Sequence, residues 1–120
     1  MTITINDKQS LGEIKEAFNN KYPHLKLEFY DHAHKEGEGS PVRFQLEDNQ
    51  IVGEIRKKHS EGELSIHANQ KVNTLETRFK EIYGLNVQVF RKSNKIWLQT
   101  TATDEWTLAH QEHKGELNDR

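Results

Sequence analysis

Two stretches of this chain carry the same apolar pattern at a fixed separation, and that repeat limits the fold more than any other feature. Leu11, Ile14, Phe18 and Tyr22 recur as Val72, Leu75, Phe79 and Tyr83, at a constant offset (72 − 11 = 61). Each set has the spacing of one helical face. Ile3 and Ile5 precede the first set as Leu64 and Ile66 precede the second, in the alternation of a strand. Beyond the helices, Leu25, Leu27 and Phe29 match Leu85, Val87 and Val89 at an offset of 60. Pro23 stops the first helix and Gly84 the second. Three elements in phase predict two strand–helix–strand units, over about residues 2–30 and 63–91. Their strands need a right-handed crossover if they pair in parallel.

The segments around the units are less regular. Asp31 to Pro41 is a loop by composition, with Gly, Pro and alternating charges. Val42, Phe44 and Leu46 alternate as a short strand, and residues 47–50 form a turn or helix cap. Residues 51–59 read as a short helix, since Gly53-Glu54-Ile55-Arg56 echoes Gly12-Glu13-Ile14-Lys15; a return strand is the alternative. A Ser93-Asn94 turn leads into a strand at Ile96–Thr100. Thr103 is placed to cap a last helix bearing Trp106, Ala109, His110 and His113, with Gly115 as its stop and 116–120 as a frayed tail. The expected fold is α+β: a ferredoxin-like sandwich of two βαβ units, an extra hairpin strand and a short C-terminal helix, with a β-grasp arrangement as the alternative.

Residues 1–115 are enough for one domain and one core. With 32% hydrophobic and 30% charged residues the core is thin, so an aromatic aimed outward carries information. The absence of cysteine excludes disulfides, thiolate metal sites and a Cys nucleophile. No apolar run approaches the ~20 residues of a membrane span, and no signal-peptide pattern opens the chain; the expectation is a cytoplasmic protein with no membrane partner. Charge is uneven, with 9 Lys/Arg against 5 Asp/Glu in residues 51–100. That local excess can meet anions, but a net charge of −2 gives the whole chain no strong pull on nucleic acid.

The segment Gly84–Gln111 contains GLNVQVFRKS, WLQTTATD and WTLAHQ. It resembles the C-terminal signature GLxVQVFRKS…WLxTTxTD…WTLxxQ of a family of small bacterial proteins with no established activity. The resemblance implies a bacterial context and no mechanism. Asn94 stands where the signature has a turn glycine.

Register gives the most informative surface. A Ser93-Asn94 turn would pair Phe90 with Trp97 and Val89 with Leu98. Val87, Val89, Ile96 and Leu98 would then face the helices, with Ile14, Phe18, Leu27, Leu75 and Phe79 completing the core. Tyr30, Gln88, Phe90, Trp97 and Gln99 would share the opposite face, with Lys92 and Lys95 at its rim. RNA-recognition modules stack bases on such a face; burial by a second copy or by the C-terminal helix is the commoner outcome.

Other constellations are weaker. Asp31, His32, His34 and Glu36 offer metal-type ligands, but too few converge for a zinc site, and no metal or other cofactor is expected. His110 and His113 lie one turn apart without a metalloprotease pattern. No nucleophile elbow appears, and Arg56-Lys57-Lys58 reads as a solvated end. Thr100 to Asp104 is a polar strand-to-helix junction able to meet a ligand. The reading is a non-catalytic interaction module, self-associating through the Phe90/Trp97 face as a homodimer or meeting another protein. Nucleic acid or a small ligand on that face is the second reading, and a small metal-dependent hydrolase the third.

Overall fold

The structure is a computed structural model that describes residues 1–34 and 37–118. Glu36 of the loop constellation and the last two residues of the tail therefore lie outside the described residues. The first unit comprises β1 (Thr2–Ile5), α1 (Leu11–Lys21) and β2 (Leu25–Tyr30), and a single helical turn, α2 (Val52–Ile55), follows. The second comprises β3 (Gly62–Ser65), α3 (Val72–Tyr83) and β4 (Asn86–Ser93), then β5 (Ile96–Gln99) and α4 (Leu108–Asn118). This is the expected α+β class in a ferredoxin-like order of elements, with two antiparallel sheets and no closed barrel among the described residues. No helix among the described residues is long and apolar enough to cross a membrane.

Local chemistry sets the helix ends. Ser10 Oγ accepts the Glu13 N–H at 3.3 Å, three residues into α1, where the start of a helix leaves N–H groups without partners. Gly84, at φ 65°, closes α3 in the left-handed conformation that a side chain disfavours. It donates to Lys80 O, and Leu85 donates to Phe79 O.

The strands of one unit do not pair with each other. Each pairs, antiparallel, with its own counterpart in the other unit. Ile3 lies opposite Leu64 in the β1–β3 sheet, and Glu28 opposite Gln88 in the β2–β4–β5 sheet. These separations (64 − 3 = 61; 88 − 28 = 60) are the repeat offsets, so both pairs mark a local two-fold axis relating the halves. The repeat also runs further than its apolar pattern. Leu11 N–H bonds to Gln50 O, Gly12 to Asp48 O, Val52 to Gln9 O and Gly53 to Asp7 O. The second half repeats this mutual clasp with Val72 to Trp106 O, Asn73 to Asp104 O, Leu108 to Gln70 O and Ala109 to Ala68 O. The GEI echo at Gly12 and Gly53 therefore marks two helix starts that grip one another.

The clasps carry side chains across the axis. Arg56, expected to be solvated, is buried: Nε and Nη2 donate to Asp7 Oδ1 at 3.0 and 2.7 Å, and Nη1 to Tyr83 O at the end of α3. The hydrogen bond from this guanidinium is the main cause holding the Asp7 carboxyl below its ordinary pKa. In the other half, Glu112 of α4 accepts the His24 N–H just past α1.

One core results, built from Ile14, Phe18, Leu27, Leu75, Phe79, Val87 and Val89 as expected, with Tyr22, Tyr83, Val52 and Leu108 added. Besides that of Arg56, three local expectations of this kind fail. Residues 42–44 form a 3-10 turn with Val42 exposed, because 44–46 bond along the outer edge of β2 as an irregular segment. The last helix starts at Leu108 with Thr107 Oγ1 accepting the His110 N–H, because Thr101–Thr103 is spent in a 3-10 turn. Gly115 lies inside that helix, where its missing side chain lets α4 approach His24.

Candidate functional site

The β4–β5 hairpin turns at Asn94-Lys95, with Asn94 at φ 55°, and not at Ser93-Asn94. Ser93 pairs with Ile96, Lys92 with Trp97, Arg91 with Leu98 and Phe90 with Gln99. The primed turns that match strand twist need a positive φ at the first turn position, and asparagine adopts it more readily than serine. A slip of two residues preserves the faces of the sheet. Phe90 and Trp97 still share a face, as diagonal rather than direct neighbours.

That face is divided. At one end Tyr30 and Gln88 are buried, so neither belongs to an accessible surface. Ser40 lies over them: its hydroxyl donates to Gln88 Oε1, its N–H to Gln99 Oε1, and Gln99 Nε2 returns a bond to Ser40 O. Residues 37–47, and not the C-terminal helix, cover this half. At the other end Phe90, Lys92 and Trp97 are half-buried and Lys95 is exposed. The Lys26 ammonium lies 5.2 Å from both ring centroids, and that of Lys92 lies 5.0 Å from Trp97. Lys26 was not foreseen. It stands opposite Phe90 across the β2–β4 ladder, a neighbour visible only once the strands are paired.

The reverse side of β5 also departs from expectation. Ile96 is 59% and Leu98 40% exposed, so Leu98 is not a core residue. On this side Arg91 of β4 donates to Gln111 Oε1 of α4 and lies over Trp106. The end of α4 meets the hairpin where Asn94 N–H donates to Asn118 O, next to exposed Leu117. The outer edge of β5 is unpaired among the described residues.

A second feature is a cleft of about 360 Å³ beside the open stretch of β4, lined among others by His34, Asn73, Glu76, Lys80 and Asp104. Here β5 has left the ladder and side chains replace it. Glu76 Oε2 accepts the Val89 N–H at 2.9 Å, and His34 Nε2 donates to Val87 O at 3.1 Å. Burial raises the Glu76 carboxyl to a pKa of about 7; Asp104 adds to the rise, while the Val89 bond and His34, 3.8 Å away, oppose it. A carboxyl titrating near neutrality in a cleft is chemically able to carry a proton. Its bond to Val89 gives it a structural role as well: it satisfies a buried N–H at the strand edge. The signal for Glu76 was its position, at the i+4 place of the apolar stripe after Val72, where a charge is out of pattern.

The remaining candidates disperse. His32 pairs with Asp31 and stacks on Phe44, while His34 turns to Val87. No group of three or more His, Asp or Glu suited to a metal assembles among the described residues. His110 stacks on Trp106 at 4.1 Å. Of the Thr100–Asp104 junction, Asp104 alone lines the cleft, and it accepts the Gly37 N–H. No protein-family model, curated protein or solved structure matches the chain.

Proposed function

We propose that this protein is a non-catalytic interaction module that self-associates through the β5 side of its three-stranded sheet. The observation that carries the reading is β5 itself. In a chain with so few apolar residues, this four-residue strand leaves Ile96 and Leu98 exposed on one side and Trp97 half-covered on the other. An apolar patch of this kind, with a large aromatic near its centre, is what protein contacts use.

Nucleic acid on the Phe90/Trp97 face is the second reading, favoured by Lys26, Lys92 and Lys95. It is the weaker one, because two of these ammoniums already occupy the ring faces on which a base would stack.

Sedimentation velocity at matched concentrations tests the first reading. The wild type is expected to be dimeric, and Leu98→Glu monomeric with an unchanged circular dichroism spectrum. A contact made by apolar side chains changes little with salt, whereas phosphate binding weakens steeply. A wild type that stays monomeric at millimolar concentration defeats the self-association reading.

A further inference from the structure

The direction of the hydrogen bonds along β5 narrows what its contact can be. Thr100 N–H donates to Val89 O. In an antiparallel ladder the bonded pairs recur every second residue, so 98 with 91 and 96 with 93 continue the series. The backbone N–H and C=O of Trp97 and Gln99 therefore point away from β4, towards the free edge. Along the other edges of this three-stranded sheet, outward backbone groups already have partners. The outer edge of β2 is covered by Asp31 N–H to Phe44 O, Leu46 N–H to Phe29 O and Asn19 Nδ2 to Leu25 O. The stretch of β4 beyond β5 is closed by Glu76, His34 and Thr100.

Resting on the reading of β5 as a contact, we infer that the partner is a second copy of this chain whose β5 pairs antiparallel with the first, centred on Trp97, to make one continuous six-stranded sheet.

Self-pairing about Trp97 sets Ile96 opposite Leu98 of the second copy, and the reverse. Both exposed aliphatic pairs then meet on one side of the sheet. It sets Lys95, the charged residue flanking this strand, opposite neutral Gln99. The two Lys92 side chains end up three strand spacings apart, about 14 Å, beyond the Debye length of about 8 Å at physiological salt. A two-fold contact of one strand with itself is an isologous interface that closes at the dimer. Natural edge strands discourage such pairing with inward-pointing charges, proline or bulges. Ile96-Trp97-Leu98 carries no charge and no proline, and it pairs with β4 in unbroken register.

The absence of cysteine makes a cross-linking test clean. Ile96→Cys and Leu98→Cys are made separately, mixed in equal amounts and oxidised with a mild disulfide catalyst. In the inferred register residues 96 and 98 form a pair without mutual backbone bonds, with Cα atoms about 4.5 Å apart, inside the range for a disulfide. Identical positions lie roughly 8 Å apart on the diagonal, outside it. The mixed 96–98 disulfide is expected to exceed either homotypic one by at least fivefold. A wild-type dimer dispersed by Leu98→Glu but yielding mainly homotypic disulfides overturns the strand-to-strand inference and leaves the surface reading standing. A monomeric wild type overturns both.

Discussion

Glu76→Gln is the substitution whose effect should change most with pH. The carboxyl is 7% exposed on the core-facing side of α3, and burial is the main reason its pKa rises from an ordinary value of 4.5 to about 7. Between these values the folded chain keeps a proton that the unfolded chain releases, so stability falls as pH rises through the window and the loss is complete above pH 7. A difference of that size is worth roughly 3 kcal/mol, at about 1.4 kcal/mol per pH unit. The amide is neutral at every pH, and its Oε1 can take the Val89 N–H that Glu76 Oε2 accepts at 2.9 Å. Glu76→Gln should therefore match the wild type near pH 4.5 and exceed it by up to about 3 kcal/mol at pH 8. Urea titrations of both proteins across that range, followed by tryptophan fluorescence, read the quantity directly. The difference between the two profiles is what matters, because every other ionisable group is common to both proteins. A difference that stays flat from pH 4.5 to 8 refutes the argument, and a wild type more stable at pH 8 than Glu76→Gln reverses its sign.

Phe79→Ala should lose roughly 3–5 kcal/mol in the same titration, since Phe79 is fully buried and meets Phe29 edge-on at 6.1 Å; a loss below about 1 kcal/mol would mean the helix does not pack on this face. Gly115→Ala should destabilise by about 1–3 kcal/mol as overpacking does, although alanine favours a helix, because the added carbon would lie 2.8 Å from His24 Cβ and 3.1 Å from its carbonyl; a rise in melting temperature would show that α4 can move aside.

How far the sequence reached can be judged element by element. Apolar spacing located α1, α3 and the strands beside them, because burying one face requires a period of 3.6 or 2 and that requirement is written locally. It found the repeat wherever both halves kept the pattern. It placed helices near 51–59 and after Thr103 but did not show that their starts, at 48–53 and 104–109, clasp α1 and α3, because the bonds run from backbone to backbone, which no side-chain type records. Arg56 failed for a related reason. A basic run at the end of a short helix looks solvated until the fold brings Asp7 and the end of α3 to it from far along the chain.

The candidate surface divides in the same way. Alternation along β4 and β5 by itself determined that Phe90 and Trp97 share a face, since parity survives a slip of two residues. Tertiary structure decided the rest. The asparagine turn fixed the register, and residues 37–47 buried Tyr30 and Gln88 while leaving Trp97 half-exposed. α4 met β4 at Arg91 and the turn at Asn94 without covering β5, so Ile96 and Leu98, apolar and in phase with the core, were left at an edge. Which face a residue occupies is a property of its own strand; what covers that face is decided by segments distant in the chain, whose placement depends on the energy of the whole fold.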